Sequence, residues 1–323
     1  MRQITYREAL KEAIEFEMRI DPRIFLAGED AGRMGGANFV TKPSFAEFGP
    51  GRIKDTPISE TAIVGLGVGA AITGLKPVIE ITFMDFIGVC MDEIANQAAK
   101  MRYMFGGKAK IPLVIRTING AGNRTAAQHS QSLESWLTHI PGLKVVMPST
   151  PANAKGLLLS SMRDNNPIVF IENRMLYNMK GDCPEGEFIV PLGEANIMKE
   201  GGDITIISWS KMVHTSLAAA NILEKDGISC EVIDLQSLVP LDKETILGSI
   251  KKTGKAVIVH EAVRTSGFGA EIAAIIADEA FSYLRSPIKR VTAPDTPIPY
   301  ASKLEDEFIP NESKIIESIK SII

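Results

Sequence analysis

The sequence of 323 residues has no long hydrophobic run. Its longest apolar stretch, about Ala62–Leu75, contains four glycines and is too short to cross a bilayer. The N-terminal segment carries charged residues throughout and lacks the apolar core of a secretory signal. The sequence therefore predicts a soluble protein with no export signal and no membrane-spanning helix.

Cysteine and clustered basic residues are also scarce. The three cysteines, Cys90, Cys183 and Cys230, lie far apart and form no Cys-x-x-Cys pair. This spacing argues against a zinc site and against a disulfide framework, and it fits a reducing cytoplasm, which is the location we expect. The net charge of −4 and the lack of a Lys/Arg cluster in the sequence give no basis for nucleic-acid binding.

Several catalytic motifs are missing. The chain has neither the nucleophile-elbow pattern Gly-x-Ser-x-Gly nor His-Glu-x-x-His, and it lacks the Walker motif Gly-x-x-x-x-Gly-Lys-[Ser/Thr]. Glycines occur at positions 65, 67 and 69, but they do not match the dinucleotide fingerprint Gly-x-Gly-x-x-Gly. Serine-hydrolase, zinc-protease, P-loop and Rossmann chemistry are therefore not predicted.

Local patterns predict the first elements of the chain. Residues 5–19 predict an amphipathic helix, in which Thr5 and Glu8 have the spacing of a capping box. Residues 31–54 are rich in glycine and polar groups and predict a long loop. Residues 85–103 predict a further helix.

Short apolar strands alternate with helices along most of the chain. This rhythm is typical of α/β domains with a mainly parallel sheet. A passage rich in glycine, proline and charge interrupts it and predicts a linker. We therefore expect a first α/β domain over residues 1–180, a linker over 181–200 and a second α/β domain over 201–323.

Glu60 is the first candidate for chemistry, because it precedes an almost wholly apolar run that contains the glycines at 65, 67 and 69. An acid at a helix N-terminus can simply complement the helix dipole, which stabilises a helix by at most about 1 kcal/mol. The alternative is an acid retained for catalysis, since an ionised carboxylate beside an apolar core is costly without a partner. Glycines in a helix cost roughly 1 kcal/mol each relative to Ala, so we expect another helix or subunit to pack closely against them.

Two further positions allow a structural and a functional interpretation. Phe86 follows a predicted strand and either fills the core or stacks on a flat heterocycle. His129 lies in a polar, glycine-rich loop over 119–132, in a chain with only four histidines, and is either an acid/base group or structural. Gly267-Phe268-Gly269 is interpreted as a tight turn before a helix, in preference to an anion site.

Together these residues resemble a known family. Glu60, Phe86 and His129 match the β subunit of the thiamine-diphosphate-dependent first component of 2-oxo acid dehydrogenase complexes, a branch of the transketolase-like proteins. The stretches that carry the resemblance are Thr56–Gly65, Asn96–Lys100, Ala127–Ser132, Ile140–Ser149, Arg163–Pro167, Cys230–Leu235 and Pro297–Tyr300. Within the family, the stretches most similar to acetoin dehydrogenase β chains are Met84–Glu93 and Lys100–Gly107.

The resemblance implies a pyrimidine-binding thiamine-diphosphate domain followed by a transketolase C-terminal-like domain. Glu60 would hydrogen-bond the ring nitrogen of the aminopyrimidine and thereby promote loss of the thiazolium proton. Phe86 would stack on the pyrimidine, and Ile58 would line the same pocket. His129 would handle protons or orient the bound intermediate and the incoming lipoyl group. The family also implies a structural K⁺ site, for which the matching positions are Leu113, Ser161, Asp164 and Asn166.

The resemblance also implies partners. The family's diphosphate and magnesium motif, Gly-Asp-Gly followed later by Asn, is absent, since Gly181-Asp182 continues with Cys183. We therefore expect an α subunit to supply the Mg²⁺ and diphosphate ligands, within an α₂β₂ heterotetramer. A lipoyl acyltransferase core is the second expected partner, although some relatives bind it through an acid where this chain has Arg285.

These features predict the β subunit of an acetoin or 2-oxo acid dehydrogenase, which cleaves the bond next to a carbonyl and transfers the acyl group to lipoamide. Acetoin is the favoured substrate, and pyruvate and branched-chain 2-oxo acids are the alternatives. A single-chain transketolase-like synthase is less favoured, because its extra N-terminal cofactor domain is missing. A non-catalytic assembly subunit is an alternative of another class, weakened by the presence of both Glu60 and His129.

Overall fold

The computed structural model describes residues 1–323, apart from the side chain of Ala37. The chain forms two compact units, which are described separately below. The first unit comprises Met1–Asn119 and Trp136–Leu192, and the second comprises Gly120–Ser135 and Gly193–Ile323. The segment that carries His129 therefore belongs to the second unit. The boundaries predicted above, at 180 and 201, stay a prediction.

The strands of the two units are numbered in chain order. They are β1 (Arg2–Thr5), β2 (Ile24–Glu29), β3 (Ile53–Thr56), β4 (Lys76–Ile81), β5 (Val114–Asn119), β6 (Lys144–Val146), β7 (Ile168–Asn173), β8 (Lys180–Cys183), β9 (Asn196–Lys199), β10 (Ile204–Ser208), β11 (Cys230–Asp234), β12 (Ser237–Val239), β13 (Ala256–Val263) and β14 (Lys289–Ala293).

The helices are numbered in the same way. They are α1 (Tyr6–Ile20), α2 (Lys42–Arg52), α3 (Glu60–Ile72), α4 (Ala99–Met104), α5 (Glu134–Thr138), α6 (Pro151–Arg163), α7 (Lys211–Lys225), α8 (Lys243–Thr253), α9 (Phe268–Glu279), α10 (Ser302–Phe308) and α11 (Glu312–Lys320). Shorter helical pieces are the 3₁₀ turns Ala37–Phe39, Met84–Cys90, Arg174–Leu176 and Phe281–Tyr283, and the π-helical segment Glu93–Ala98.

Both units are built on mainly parallel sheets, as the strand–helix rhythm predicted. In the first unit, parallel strands pair in the order β6-β7-β5-β4-β2-β3, and β1 pairs with β8 in an antiparallel ribbon. In the second unit the order is β14-β13-β10-β11-β9, with β9 antiparallel. The predicted α/β class is confirmed.

Helix α1 begins where its sequence signal places it. The side chain of Thr5 accepts a hydrogen bond from the backbone N–H of Glu8, and the side chain of Glu8 accepts one from the backbone N–H of Thr5. This capping box satisfies two otherwise unpaired donors of the first turn. Leu10, Ile14 and Met18 lie on the buried face of the helix, so the predicted helix and its spacing are confirmed.

The long loop predicted over 31–54 is wrong in its second half, which contains α2 and the start of β3. The sequence does not predict this helix because the segment contains proline and glycine, which are typical of loops. Pro43 sits in its first turn, where a missing N–H is harmless, and Gly49 interrupts it with a left-handed φ of +67°. The first half is indeed irregular, and it is tied down where the hydroxyl of Thr41 donates to the Ala31 carbonyl at 2.6 Å.

The helix predicted over 85–103 is helical throughout most of its length but is not one regular α-helix. It begins with the 3₁₀ turn Met84–Cys90, continues as the π-helical segment Glu93–Ala98 and ends as α4. The amide of Asn96 donates to the carboxylate of Asp92 at 2.6 Å within this region. Departures from regular α-helix of this kind occur often at functional sites.

A buried ion network joins the central strands of the first unit. Arg116 of β5 lies opposite Glu80 of β4 in the strand register and donates to its carboxylate at 2.7 Å. Arg116 also donates to both oxygens of Glu172 on β7, at 2.7 and 2.9 Å, and the hydroxyl of Tyr177 donates to the same carboxylate. Burial opposes the charge of Arg116, but Glu172 and Glu80 outweigh it and raise the pKa of the guanidinium.

We predict that Arg116→Leu severely destabilises the chain. The substitution leaves the carboxylates of Glu80 and Glu172 in the core without the cation that they share, and breaking a buried ion pair from one side costs about 3–5 kcal/mol. The free energy of unfolding is measured by chemical denaturation. Arg33→Leu removes an exposed arginine and serves as the control, with an expected change within about 0.5 kcal/mol. Equal denaturation midpoints for both variants would contradict the role of the network.

Candidate active site

The candidate residues of the first unit follow the carboxyl ends of neighbouring parallel strands. Glu29 ends β2, Ile58 and Glu60 follow β3, and Phe86 follows β4. Strands β3, β2 and β4 are adjacent in the sheet. Because the carboxyl ends of parallel strands share one edge, these segments meet there, and this edge is where ligands bind in open α/β sheets.

Glu60 is the first residue of α3 and is half-buried. Its neighbour Ser59 occupies the N-cap position without a side-chain cap. Within the described residues, the carboxylate of Glu60 accepts no hydrogen bond from the chain, so it does not cap the helix by hydrogen bonding. Contact with the helix dipole remains, but a half-buried carboxylate with unused acceptor oxygens is also suited to bind a ligand donor.

The first turn of α3 is attached to the segment that carries Phe86. The hydroxyl of Thr61 donates to the carbonyl of Val89 at 2.8 Å. Phe86 is half-buried and contacts Phe83 edge to face, with ring centroids 6.1 Å apart. Phe86 is therefore not enclosed in the core of this unit.

Ile58 lies on the surface, with 73% of its side chain exposed. Isolated exposed apolar side chains are common, but here the exposed isoleucine precedes Glu60 by two residues at the ligand-binding edge of the sheet. Ile58, Glu60 and Phe86 thus place an apolar side chain, a carboxylate and an aromatic ring at one edge of the sheet, and none of the three is fully buried.

The charge of Glu60 influences two neighbouring groups. Burial, then the charges of Asp30 and Glu60, raise the pKa of Glu29. Burial, then the charge of Glu60, raise the pKa of the Cys90 thiol to about 12. Glu60 thus lies within electrostatic reach of both Glu29 and Cys90, and Cys90 is kept as an uncharged thiol.

The three glycines of α3 have different surroundings. A Cβ atom on Gly67 would lie 2.6 Å from Ile79 and 2.9 Å from Leu113, so glycine lets the helix lie directly on the sheet. A Cβ atom on Gly65 or Gly69 would meet nothing within 4 Å. These two glycines are four residues apart and therefore share one face of the helix. That face is available for the close packing that the sequence predicted.

In the second unit, His129 lies in the segment 120–135 and is half-buried. The hydroxyl of Thr125 donates to the carbonyl of His129 at 3.0 Å and lies 2.8 Å from the hydroxyl of Ser130. Arg124 and Ala126 adopt left-handed φ values of +59° and +60°. Non-glycine residues in this region are strained, and such strain is found at functional sites.

Two buried carboxylates hold this segment in place. Glu261 accepts the backbone N–H of Ala121 at 2.7 Å. Glu305 accepts the backbone N–H of Gly122 at 2.8 Å and also receives the guanidinium of Arg124. Because both acids lie more than 130 residues further along the sequence, no local motif marks them. Sequence reasoning missed them for that reason.

Glu134 lies at the end of the same segment and is buried, with 1% of its surface exposed. The indole N–H of Trp209 donates to its carboxyl group at 3.4 Å. Burial raises the pKa of Glu134 to about 7, and the charge of Glu261 acts in the same direction. The carboxyl group is therefore partly protonated near neutral pH.

Trp209 also stacks on His260, with ring centroids 5.2 Å apart and planes 14° from parallel. Burial, then the charges of Arg290 and Arg264, lower the pKa of His260 to about 3. A Cβ atom on Gly269 would lie 2.6 Å from this imidazole ring. The glycine at position 269 is thus explained by the close approach of His260, without an anion.

Three of the four positions matched to a K⁺ site, Ser161, Asp164 and Asn166, lie together at the end of α6 in the first unit. The backbone N–H and side-chain amide of Asn166 donate to Asp164 at 2.8 and 2.7 Å, and the carbonyl of Ser161 accepts the backbone N–H of Asp164 at 3.3 Å. The carbonyl of Leu113 accepts the backbone N–H of Ile168 at 2.9 Å. The ammonium of Lys144 binds the carboxylate of Asp164, so a metal ion would have to compete with a cation of the chain itself.

No group of three or more His, Cys, Asp or Glu side chains is placed to hold a metal ion among the residues that the structure describes. In the same part of the chain, no helix combines the length and apolar character needed to cross a membrane.

Comparison with known proteins identifies both halves of the chain. Residues 2–180 match the model of the transketolase pyrimidine-binding domain, and residues 193–315 match that of the transketolase C-terminal domain. A solved structure described as a split-gene transketolase, an inactive β4 tetramer, superimposes with a TM-score of 0.81 over 98% of this chain and 97% of its own, at 22% identity. This structural similarity shows the fold alone.

Curated relatives are closer in sequence. The acetoin:2,6-dichlorophenolindophenol oxidoreductase β subunit of Cupriavidus necator is 48% identical over 97% of this chain and 96% of its own length. The pyruvate dehydrogenase E1 component β subunit of Rickettsia felis is 47% identical over 99% of this chain and 98% of its own. Both are similar to this chain over nearly their whole length.

We predict that Glu134 makes the stability of the chain depend on pH. Its protonated form is favoured in the folded state, so its contribution is full below its ordinary pKa of 4.5 and is lost as the pH rises through about 7. A shift of this size corresponds to on the order of 3 kcal/mol. Glu134→Gln keeps the shape of the side chain but cannot titrate. Its free energy of unfolding should therefore fall less than that of the wild type as the pH rises.

Chemical denaturation of both proteins at about pH 5 and about pH 8 provides the measurement. Glu271→Gln replaces an exposed acid of the same unit and is the matched control. A constant difference between Glu134→Gln and the wild type across this pH range would show that Glu134 does not titrate with folding.

Proposed function

Because the chain belongs to the thiamine-diphosphate-dependent, transketolase-like E1 β subunits of acetoin and pyruvate dehydrogenases, we propose that it provides the pyrimidine-binding half of a split active site. The reaction cleaves the bond next to a carbonyl group and passes the acyl unit to lipoamide. When bound, thiamine diphosphate supplies the nucleophilic carbon and the electron sink for this cleavage. The half-buried carboxylate of Glu60, which accepts no hydrogen bond from the described chain, is the observation that carries the proposal.

In this proposal Glu60 holds a proton at the ring nitrogen of the aminopyrimidine. A carboxyl group is suited to that role because it can share a proton with a weakly basic nitrogen, and closure of the site by a partner would desolvate it further. Phe86 provides an aromatic face for the pyrimidine, and Ile58 covers its edge. The half-buried and exposed positions of these two side chains support a cofactor that is covered from the other side by a second subunit.

His129 is proposed to act on the substrate side, where it donates or accepts a proton or orients the lipoyl group. The carboxylates of Glu261 and Glu305 support this role, because they fix the backbone of the segment that presents the imidazole. A histidine on a segment held at its start by buried hydrogen bonds keeps its position more precisely than one on a loop without such anchors.

The partners follow from what the chain lacks. We propose that an α subunit supplies the Mg²⁺ and the diphosphate ligands in an α₂β₂ heterotetramer, and that a lipoyl acyltransferase core receives the acyl group. The open face of Gly65 and Gly69 on α3 supports close packing of another subunit. A structural K⁺ at Leu113, Ser161, Asp164 and Asn166 is part of the proposal, as is a cytoplasmic location.

The substrate is tested on the reconstituted α/β pair. We expect kcat/KM to be highest with acetoin, because Met84–Glu93 and Lys100–Gly107 resemble acetoin dehydrogenase β chains. Pyruvate and branched-chain 2-oxo acids are assayed alongside, with lipoamide as the acceptor. If kcat/KM is clearly higher with a 2-oxo acid, that acid replaces acetoin as the assigned substrate. Turnover of none of them by a correctly assembled pair would favour the non-catalytic assembly subunit.

We predict that Glu60→Gln nearly abolishes proton exchange at the thiazolium carbon in the reconstituted pair, because glutamine fills the same volume but cannot share the proton. General acid–base groups contribute about 10²–10⁴-fold, so a loss in this range is expected. Hydrogen–deuterium exchange followed by NMR gives the rate. Glu93→Gln, the same substitution in the π-helical segment, is the control. Exchange at the wild-type rate in Glu60→Gln would rule out the assigned role.

A further inference from the structure

A recess of about 570 Å³ lies along β14, at the edge of the sheet in the second unit. Its charged lining comes from separate parts of the sequence. The cations are Arg264, Lys289, Arg290 and Lys314, and the carboxylates are Glu307 and Glu317. The sequence shows no Lys/Arg cluster because β14, the end of β13 and helix α11 bring these residues together only in the fold.

The two arginines of the recess each bind the backbone of the other. The guanidinium of Arg264 donates to the carbonyl of Arg290 at 3.0 Å, and the guanidinium of Arg290 donates to the carbonyl of Arg264 at 2.9 Å. Each arginine thus uses one N–H group on a backbone oxygen and keeps further donors unused. These two contacts fix both side chains in the same part of the recess lining, where their remaining donors can serve one anion.

The chain itself supplies only part of the compensating charge. Among the described residues, Arg264, Lys289 and Arg290 form no salt bridge with an acid. Lys314 is 3.9 Å from the carboxylate of Glu307, so these two charges offset each other. Glu317 lines the recess with the three remaining cations, and Asp295 lies within electrostatic reach of Arg264.

We propose that this recess binds a phosphate group, carried by inorganic phosphate or by a small phosphate ester. The planar guanidinium presents paired N–H donors that match two phosphate oxygens, and two arginines with an adjacent lysine can neutralise a dianion. Arg264 is exposed, and Arg290 and Lys289 are half-buried, so the donors are accessible from solvent. Because each arginine is tied to the backbone of the other, their donors are presented together, which favours one compact anion over the spaced carboxylates of an acidic peptide.

The site is independent of the proposed active site, since none of its residues is assigned to the cofactor or the substrate. The test is isothermal titration calorimetry of the full chain with inorganic phosphate at constant ionic strength, which measures the dissociation constant and the number of sites. We expect saturable binding of one phosphate per chain. Arg264→Gln and Arg290→Gln should each weaken binding roughly tenfold or more, because each removes a charge-assisted hydrogen bond. Arg285→Gln, at an exposed cation outside the recess, should bind like the wild type.

Arg264→Lys keeps the charge but loses the paired donors, so its affinity should fall between those of the wild type and Arg264→Gln. It replaces Arg264→Gln as the test variant if thermal unfolding shows that Arg264→Gln is misfolded. The proposal is overturned if no saturable binding occurs up to about 10 mM phosphate, or if Arg285→Gln weakens binding as much as Arg264→Gln and Arg290→Gln do. Binding of a polyglutamate peptide without binding of phosphate would also overturn it.

Discussion

Arg116 on β5 binds carboxylates on both neighbouring strands, Glu80 on β4 and Glu172 on β7. Because all three groups are buried, the network is satisfied only when these strands pair in one register. That register determines where each strand ends. The residues that follow β4, and those that follow β2 and β3 beside it, are thereby brought to the same edge of the sheet. The placement of Phe86 after β4, and through the neighbouring strands that of Glu60, thus depends on a buried ion network inside the sheet.

Much of the fold could be predicted from sequence because its signals are local. The capping box of Thr5 and Glu8 lies within one helical turn, and the parallel strands are short apolar runs between helices. Helix α2 was missed because Pro43, Gly49 and Pro50 are typical of a loop, whereas in the fold its last residue, Arg52, donates to the carbonyl of Ile24 at 2.6 Å. Local composition fails where tertiary contacts decide the conformation.

The candidate site divides in the same way. Glu60 and His129 could be proposed from the sequence because they lie in recognisable stretches, and their assignment stays a prediction. Glu261 and Glu305 were missed because their partners, the N–H groups of a segment far away in sequence, exist only after folding. Glu134 was missed for a different reason. Its pKa is raised by burial, and the sequence around a glutamate does not show whether the fold will bury it.

The three glycines of helix α3 differ in whether this chain leaves room for a side chain at their position. A side chain at Gly67 would collide with the sheet of its own chain, and the protein would lose stability before any partner was present. A side chain that begins with a Cβ atom at Gly65 or Gly69 would meet no atom of this chain within 4 Å. An isolated subunit would therefore fold with such a substitution. Contacts within this chain therefore oppose a side chain at Gly67, whereas at Gly65 and Gly69 only a subunit packed against the helix would oppose one. Larger residues at these two positions in a related chain would therefore indicate that a different partner packs against this face.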